Sequence, residues 1–185
     1  MIYVIDHEDS FTYNLVHLLE GFAPTYVSNY YDINWHQLEK SKVIIFSPGP
    51  GNPSHYPETQ TVYKKYKGNK KIIGICLGFQ QILYAENANI VPQKKIYHGY
   101  QSKVKALKES TLFKPNKVFL AGRYHSLKLK EPFNSLSLKI TMRCVESNVA
   151  MAIEDTINNV YGFQFHPDSF LTVDGKFLIQ KVLQF

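Results

Sequence analysis

Lys71-Ile72-Ile73-Gly74-Ile75-Cys76-Leu77-Gly78-Phe79-Gln80 passes from an apolar run into a helical pattern, with one cysteine between two glycines at the junction. Residues 71–75 predict a buried strand, and residues 77–86 predict the helix that follows it. The same unit recurs upstream. Residues 1–5 predict a strand, and Leu15, Leu18, Leu19 and Phe22 then recur at helical spacing. A short strand at 25–28 and a brief helix from 35 to 38 come next. An apolar strand at 42–46 runs into Ser47-Pro48-Gly49-Pro50-Gly51-Asn52-Pro53, and a helix at 56–66 follows. Such alternation implies a parallel sheet with helices on both faces.

Downstream of the quoted stretch the pattern changes. Residues 90–106, 117–120, 136–144, 149–153 and 160–165 read as strands in close succession, which implies an antiparallel extension of the sheet or a small second sheet. A closing helix at 174–183 is expected to bury Phe177, Leu178 and Val182. With no repeat, low-complexity tract or linker, residues 1–185 are expected to form one domain.

Composition narrows the possible functions. Hydrophobic residues make up 44% of the 185 and charged residues 19%, the balance of a globular chain. The net charge of +6 comes almost wholly from lysine, with Arg123 and Arg143 the only arginines. Nucleic-acid recognition favours the planar arginine fork, and no nucleic-acid module signature is present. Lys64, Lys65, Lys67, Lys70, Lys71, Lys94 and Lys95 read instead as solvated faces. Met1-Ile2-Tyr3-Val4-Ile5-Asp6 is too short and too acidic for a signal peptide. No apolar run reaches the ~18 residues of a membrane span. The cytoplasm is the expected compartment. Cys76 and Cys144 suggest no disulfide framework, and Cys144, in an apolar-alternating stretch, reads as a core thiol.

Cys76 carries the chemistry. Ligands of an open parallel sheet bind at the C-terminal edge of its strands, where this cysteine is delivered. Small neighbours permit a sharp strand-to-helix turn that exposes a nucleophile, and a helix N-terminus favours thiolate over thiol. The N–H of Leu77 can there meet a developing oxyanion. Taken alone, Gly-x-Cys-x-Gly fits a buried core cysteine equally well. The balance shifts with Phe163-Gln164-Phe165-His166-Pro167-Asp168, again at the end of an apolar run. His166 is placed to act as base and acid, and Asp168 to orient its imidazole. In Ser47-Pro48-Gly49-Pro50-Gly51 the prolines stiffen the backbone while the glycines admit a substrate, making the Gly51 N–H a candidate second oxyanion donor. The loop lacks the Gly-Lys-Ser/Thr ending of a phosphate loop.

Together these motifs resemble the class I glutamine amidotransferases, above all the small glutaminase subunits of anthranilate synthase and aminodeoxychorismate synthase. The resemblance runs nearly end to end, through Asp6 with Asp9-Ser10-Phe11-Thr12-Tyr13-Asn14, Ser47-Pro48-Gly49-Pro50-Gly51, Gly74-Ile75-Cys76-Leu77-Gly78 with Gln80, His98-Gly99 with Ser102, Arg123-Tyr124-His125-Ser126-Leu127, and Gly162 with Gln164-Phe165-His166-Pro167. It implies a flavodoxin-like sheet and a Cys76, His166 and Asp168 triad acting on the side-chain amide of L-glutamine. It also implies substrate contacts from Gly49, Pro50, Gly51, Gln80 and the Ser126-Leu127 backbone. Ammonia would pass to a chorismate-binding synthase subunit (component I) to make anthranilate or 4-amino-4-deoxychorismate. Partner contact is expected at residues 9–14 and 98–102, although Asp9 or Ser10 could equally serve as an ordinary helix N-cap. No metal or cofactor is expected on this chain, and any magnesium would belong to the synthase subunit.

Two residues depart from the family pattern. Phe79 stands where histidine is usual, which points to altered packing or partner coupling. Asp168 stands where glutamate is usual, one methylene shorter, so the backbone must move if the orienting bond is to form. Two other functions share this sequence: a hydrolase of the same fold acting on γ-glutamyl or peptide bonds, and a silent subunit that only regulates a partner.

Overall fold

In the computed structural model, which describes residues 1–184, Ile2–Asp6 (β1), Thr25–Asn29 (β2), Val43–Phe46 (β3) and Lys71–Ile75 (β4) form parallel pairs in the order β2-β1-β3-β4. Phe185, part of the one-domain expectation, lies outside the described residues. β1 and β4 are buried along their whole length, because helices cover both faces of the sheet. Thr12–Glu20 (α1), Trp35–Lys40 (α2), Pro57–Tyr66 (α3) and Leu77–Ala85 (α4) make the connections. Leu15 and Leu19 of α1 join one buried cluster; Val62 and Tyr63 of α3 and Phe79 and Leu83 of α4 join the other. Phe79, the departure from the family pattern, is fully buried in that cluster.

Ile90–Pro92 (β5), Tyr100–Ala106 (β6), Val118–Arg123 (β7), Leu127–Leu129 (β8), Lys139–Cys144 (β9), Ala150–Asp155 (β10) and Val160–Phe163 (β11) complete the strands. β11 lies parallel to β4, and β10, β9, β6 and β7 continue the same nine-stranded sheet antiparallel. β5 and β8 form a separate two-stranded sheet. Both arrangements left open by the sequence are therefore present. Gly175–Gln184 (α5) packs on the same face as α1 through Leu178, Ile179 and Val182.

Several sequence expectations need correction. Residues 90–106 are two strands in different sheets: Pro92 has no N–H to extend a ladder, and Gly99 turns the chain at φ 73°. β8 went unseen because it has only three residues. Phe177 is 42% exposed, since the buried stripe of α5 runs through its neighbours. Neither Asp9 nor Ser10 caps α1. Its N-cap is Phe11, and the Asp9 carboxylate instead accepts the Phe11 N–H at 2.8 Å in the preceding turn. Lys71 is no solvated lysine: it is buried and donates to the carbonyls of Val182 at 2.6 Å and Leu183 at 3.3 Å, at the negative end of α5.

Candidate active site

β4 ends at the cysteine, and the backbone there is strained. Cys76 has φ 52° and ψ −99°, a conformation that side-chain-bearing residues rarely adopt. The structure fixes it from both sides. The Cys76 N–H donates to Phe163 O at 2.8 Å, and its carbonyl accepts the Gln80 N–H at 3.2 Å. Flanking glycines are required by contact: a Cβ on Gly74 would run into the Gly78 carbonyl, and one on Gly78 into the Phe46 carbonyl. Cys76 is 7% exposed and caps the N-terminus of α4. Leu77 opens that helix, so its N–H has no intrahelical acceptor.

His166 comes to this point from beyond β11. Its N–H donates to Gly122 O at 3.0 Å and its carbonyl accepts from Thr172 Oγ1 at 2.5 Å. Rings of Phe11 and Tyr124 pack edgewise on the imidazole, with centroids at 5.1 and 4.9 Å. Burial works against the charged ring, but its interactions with Cys76 and Asp168 outweigh it and hold the His166 pKa up, at about 10. An imidazole held charged beside a cysteine is the arrangement that keeps a thiolate ready to attack.

Asp168 sits beside the ring without bonding it. Oδ1 lies 3.7 Å from His166 Nδ1, within ion-pair range and beyond a hydrogen bond. His166 Nδ1 and both Asp168 oxygens are buried with no hydrogen-bond partner among the described residues. The shorter side chain has left a gap that the backbone does not close.

A cavity of about 200 Å³ opens over Cys76, walled by Gly49, Pro50, Gly51, Leu77, Gln80, Ser126 and Leu127. Every residue expected to bind substrate is in that wall, together with Asp9, Tyr124 and His125, to which the sequence assigned no substrate contact. The volume falls below the ~300–1,000 Å³ of drug-sized sites and suits a molecule the size of an amino acid. Larger surface hollows, such as one of about 470 Å³ beside His17, Leu18 and Lys176, meet none of these groups.

Residues behind the wall fix its shape, and sequence reasoning missed most of them. His7 is fully buried; its N–H donates to Ser47 Oγ at 2.9 Å and its Nε2 lies 2.8 Å from Thr59 Oγ1. Burial lowers its pKa to about 3, so the ring is neutral. Tyr56 donates its hydroxyl to Pro50 O at 2.7 Å. On the far side Arg123 is fully buried, its guanidinium 3.4 Å from the Tyr97 ring centre and its Nε donating to His125 Nε2 at 3.1 Å. His125 Nδ1 in turn contacts Leu127 O at 2.8 Å, which ties down the Ser126-Leu127 backbone. Burial, then the Arg123 charge, lower the His125 pKa to about 3. Gln80 Nε2 donates to Gln164 Oε1 at 3.1 Å, and Gln164 Nε2 reaches Cys76 O at 3.5 Å. Arg123, one of only two arginines, was the one clear signal of this second layer. Cys144 is buried as expected, and its sulfur also meets Arg123 Nη1 at 3.4 Å and Glu146 Oε2 at 3.1 Å.

Among the described residues no group of three or more His, Cys, Asp or Glu is placed to hold a metal ion. No described helix is long and apolar enough to cross a membrane.

Comparison with known proteins meets this geometry from the other direction. The chain is 37% identical over 183 residues to anthranilate synthase component 2 of Lactococcus lactis subsp. lactis (strain IL1403), covering 97% of this chain and 92% of that protein. It is 38% identical over 192 residues to anthranilate synthase component 2 of Pyropia yezoensis, with all of both chains covered. A solved structure of a glutamine amidotransferase from Thermotoga maritima superposes with a TM-score of 0.74, covering 99% of this chain and 96% of that one. At 14% identity that likeness speaks for the fold alone. A family model described as glutamine amidotransferase class-I matches residues 3–184, a span that takes in the cysteine turn, the histidine segment and every wall of the cavity. The chain therefore belongs to the class I glutamine amidotransferase family.

Proposed function

We propose that this chain is a glutaminase component, acting as a single domain, that supplies ammonia to a chorismate-binding synthase. Cys76 attacks the side-chain carboxamide carbon of L-glutamine, and the N–H groups of Leu77 and Gly51 meet the oxyanion of the tetrahedral intermediate. The His166 imidazolium gives its proton to the departing nitrogen, ammonia leaves, and a thioester remains. His166, now neutral, takes a proton from water, which attacks the thioester and releases glutamate. Asp168 favours the charged form of the ring through its own charge. Gly49, Pro50, Gln80, Ser126 and Leu127 hold the substrate. The observation that carries this reading is the small cavity that brings the oxyanion and substrate-binding groups to one cysteine, with His166 held charged beside it.

The relatives named anthranilate synthase component 2 support a component I partner that converts chorismate to anthranilate for tryptophan biosynthesis. The same ammonia chemistry would serve formation of 4-amino-4-deoxychorismate for folate, with the cytoplasm as the shared compartment. We infer that residues 9–14 and 98–102 meet the partner. Tyr13 and Tyr100 in them are 69% and 50% exposed, and Ile96, Phe170 and Val173 are exposed as well. Their segments are joined through Phe11, Tyr124 and Ser169 and through Gln101 to Leu171 O.

The test is product identification. Protein is mixed with glutamine, chorismate and each candidate synthase subunit in turn, with Cys76→Ala as control. Glutamine-dependent anthranilate or aminodeoxychorismate, lost in the variant, is the expected result and names the pathway. The gap between Asp168 and His166 favours one second reading, a silent regulatory subunit. Synthases that work with free ammonia and never with glutamine would establish it. Release of glutamate from γ-glutamyl peptides would point instead to a hydrolase.

A further inference from the structure

We propose that Tyr56 is a positioning residue whose hydroxyl locks the Pro50–Gly51 peptide, so that the Gly51 N–H is held toward the cavity. The inference rests on the reading of Gly51 as an oxyanion donor and says what aims it.

The prolines of Ser47-Pro48-Gly49-Pro50-Gly51 do not fix this peptide by themselves. Proline restrains its own φ and leaves ψ free, and glycine tolerates φ of either sign. The peptide between Pro50 and Gly51 can therefore turn over through joint rotation of one proline ψ and one glycine φ, at little steric cost. A flipped peptide would present a carbonyl where the donor is needed.

Tyr56 opposes that flip. Its hydroxyl donates to Pro50 O at 2.7 Å. The Pro50–Gly51 bond is trans, and in a planar trans peptide the C=O and the following N–H point in opposite directions. Pro50 and Gly51 line the cavity and Tyr56 does not. A carbonyl turned to Tyr56 thus faces away from the cavity, and the Gly51 N–H takes the other direction. Gly51 holds φ 77°, a value that relies on its having no side chain.

The tyrosine ring is itself immobilised. It is 6% exposed and packs edgewise on His7 at 4.9 Å and on Tyr30 at 4.8 Å. Burial raises its pKa, which keeps the hydroxyl a donor. His7 is held by Ser47 and Thr59, so the orientation of one peptide is traced back through a hydroxyl and an imidazole to α3.

The experiment is Tyr56→Phe, which keeps the ring and removes the donor, measured in the complex with the synthase partner. Loss of one oriented oxyanion donor predicts kcat lower by roughly ten- to a hundredfold with KM within about threefold. L-Glutamate γ-semialdehyde, which forms a tetrahedral adduct on the cysteine, should bind more weakly by a similar factor. The rate of Cys76 alkylation by iodoacetamide should be unchanged, which also certifies a folded site. 3-Fluorotyrosine at position 56 keeps the hydroxyl and should restore turnover. A kcat for Tyr56→Phe within about twofold of wild type overturns the inference, as does a loss of kcat with aldehyde affinity intact. Wild-type protein that never turns over glutamine overturns the parent reading instead.

Discussion

The two sides of the cleft are held by different means. Cys76 is fixed by backbone: its N–H and carbonyl are both bonded, and two glycines let β4, β3 and α4 close on it without clearance. His166 has its backbone tied to Gly122 and Thr172, but its ring is placed by packing between Phe11 and Tyr124, and its Nδ1 makes no hydrogen bond among the described residues. Backbone constraints are all-or-none, because a peptide cannot shift without disturbing its neighbours. Packing constraints are graded. The cysteine side should therefore fail by unfolding, and the histidine side by gradual loss of rate.

The largest effect should come from Gly78→Ala. Its methyl would overlap the Phe46 carbonyl, which is main chain and cannot step aside. A loss of about 3 kcal/mol or more is expected, visible as a collapsed urea midpoint. A folded, stable variant would break the contrast between the two sides.

Acid comes next and acts on both sides together. His7 and His125 have folded pKa values of about 3 against 6.5 for free histidine. As pH falls below 6.5 the unfolded chain takes up protons that the folded chain refuses, so stability declines from there toward pH 3. By pH 5 each should have cost about 2 kcal/mol, an upper figure for a relaxing site. Urea titrations at pH 7 and pH 5 measure it; His7→Gln should flatten its share of the slope.

Tyr124→Ala then tests the graded side. Removing one face of the aromatic clamp frees the imidazole, and kcat should fall roughly tenfold with little change in melting temperature, while Tyr124→Phe should keep most of the rate. Asp168→Glu has the smallest effect, in the favourable direction. One methylene more spans the 3.7 Å gap, and turnover should equal or exceed wild type by a few-fold. A large drop would mean that the carboxylate does not serve the ring.

What the sequence made legible follows the same division. β4 is found at its predicted bounds because a strand buried on both faces is an unbroken apolar run. β8 is short and half-covered, and nothing local marks it, while β5 was read only as the start of one long strand because its pairing with β8 is set by the fold. Cys76 and His166 were readable because a sharp turn and a strand end each leave a residue signature. The 3.7 Å gap was not, since it is a distance between a strand end and a loop that only the assembled sheet sets. His7 and Tyr56 escaped for the same reason. Their partners, Thr59 and Pro50, are met through the fold and not through any periodicity.

The strained turn at Cys76 carries one more consequence. A cysteine at φ 52° stores about 1–3 kcal/mol that a residue without a side chain would not. Glycine at position 76 would remove the thiol on which the proposed glutaminase reaction depends and yet should make the more robust protein, with a higher denaturation midpoint. At this position the chemistry proposed for the thiol and the durability of the fold make opposite demands.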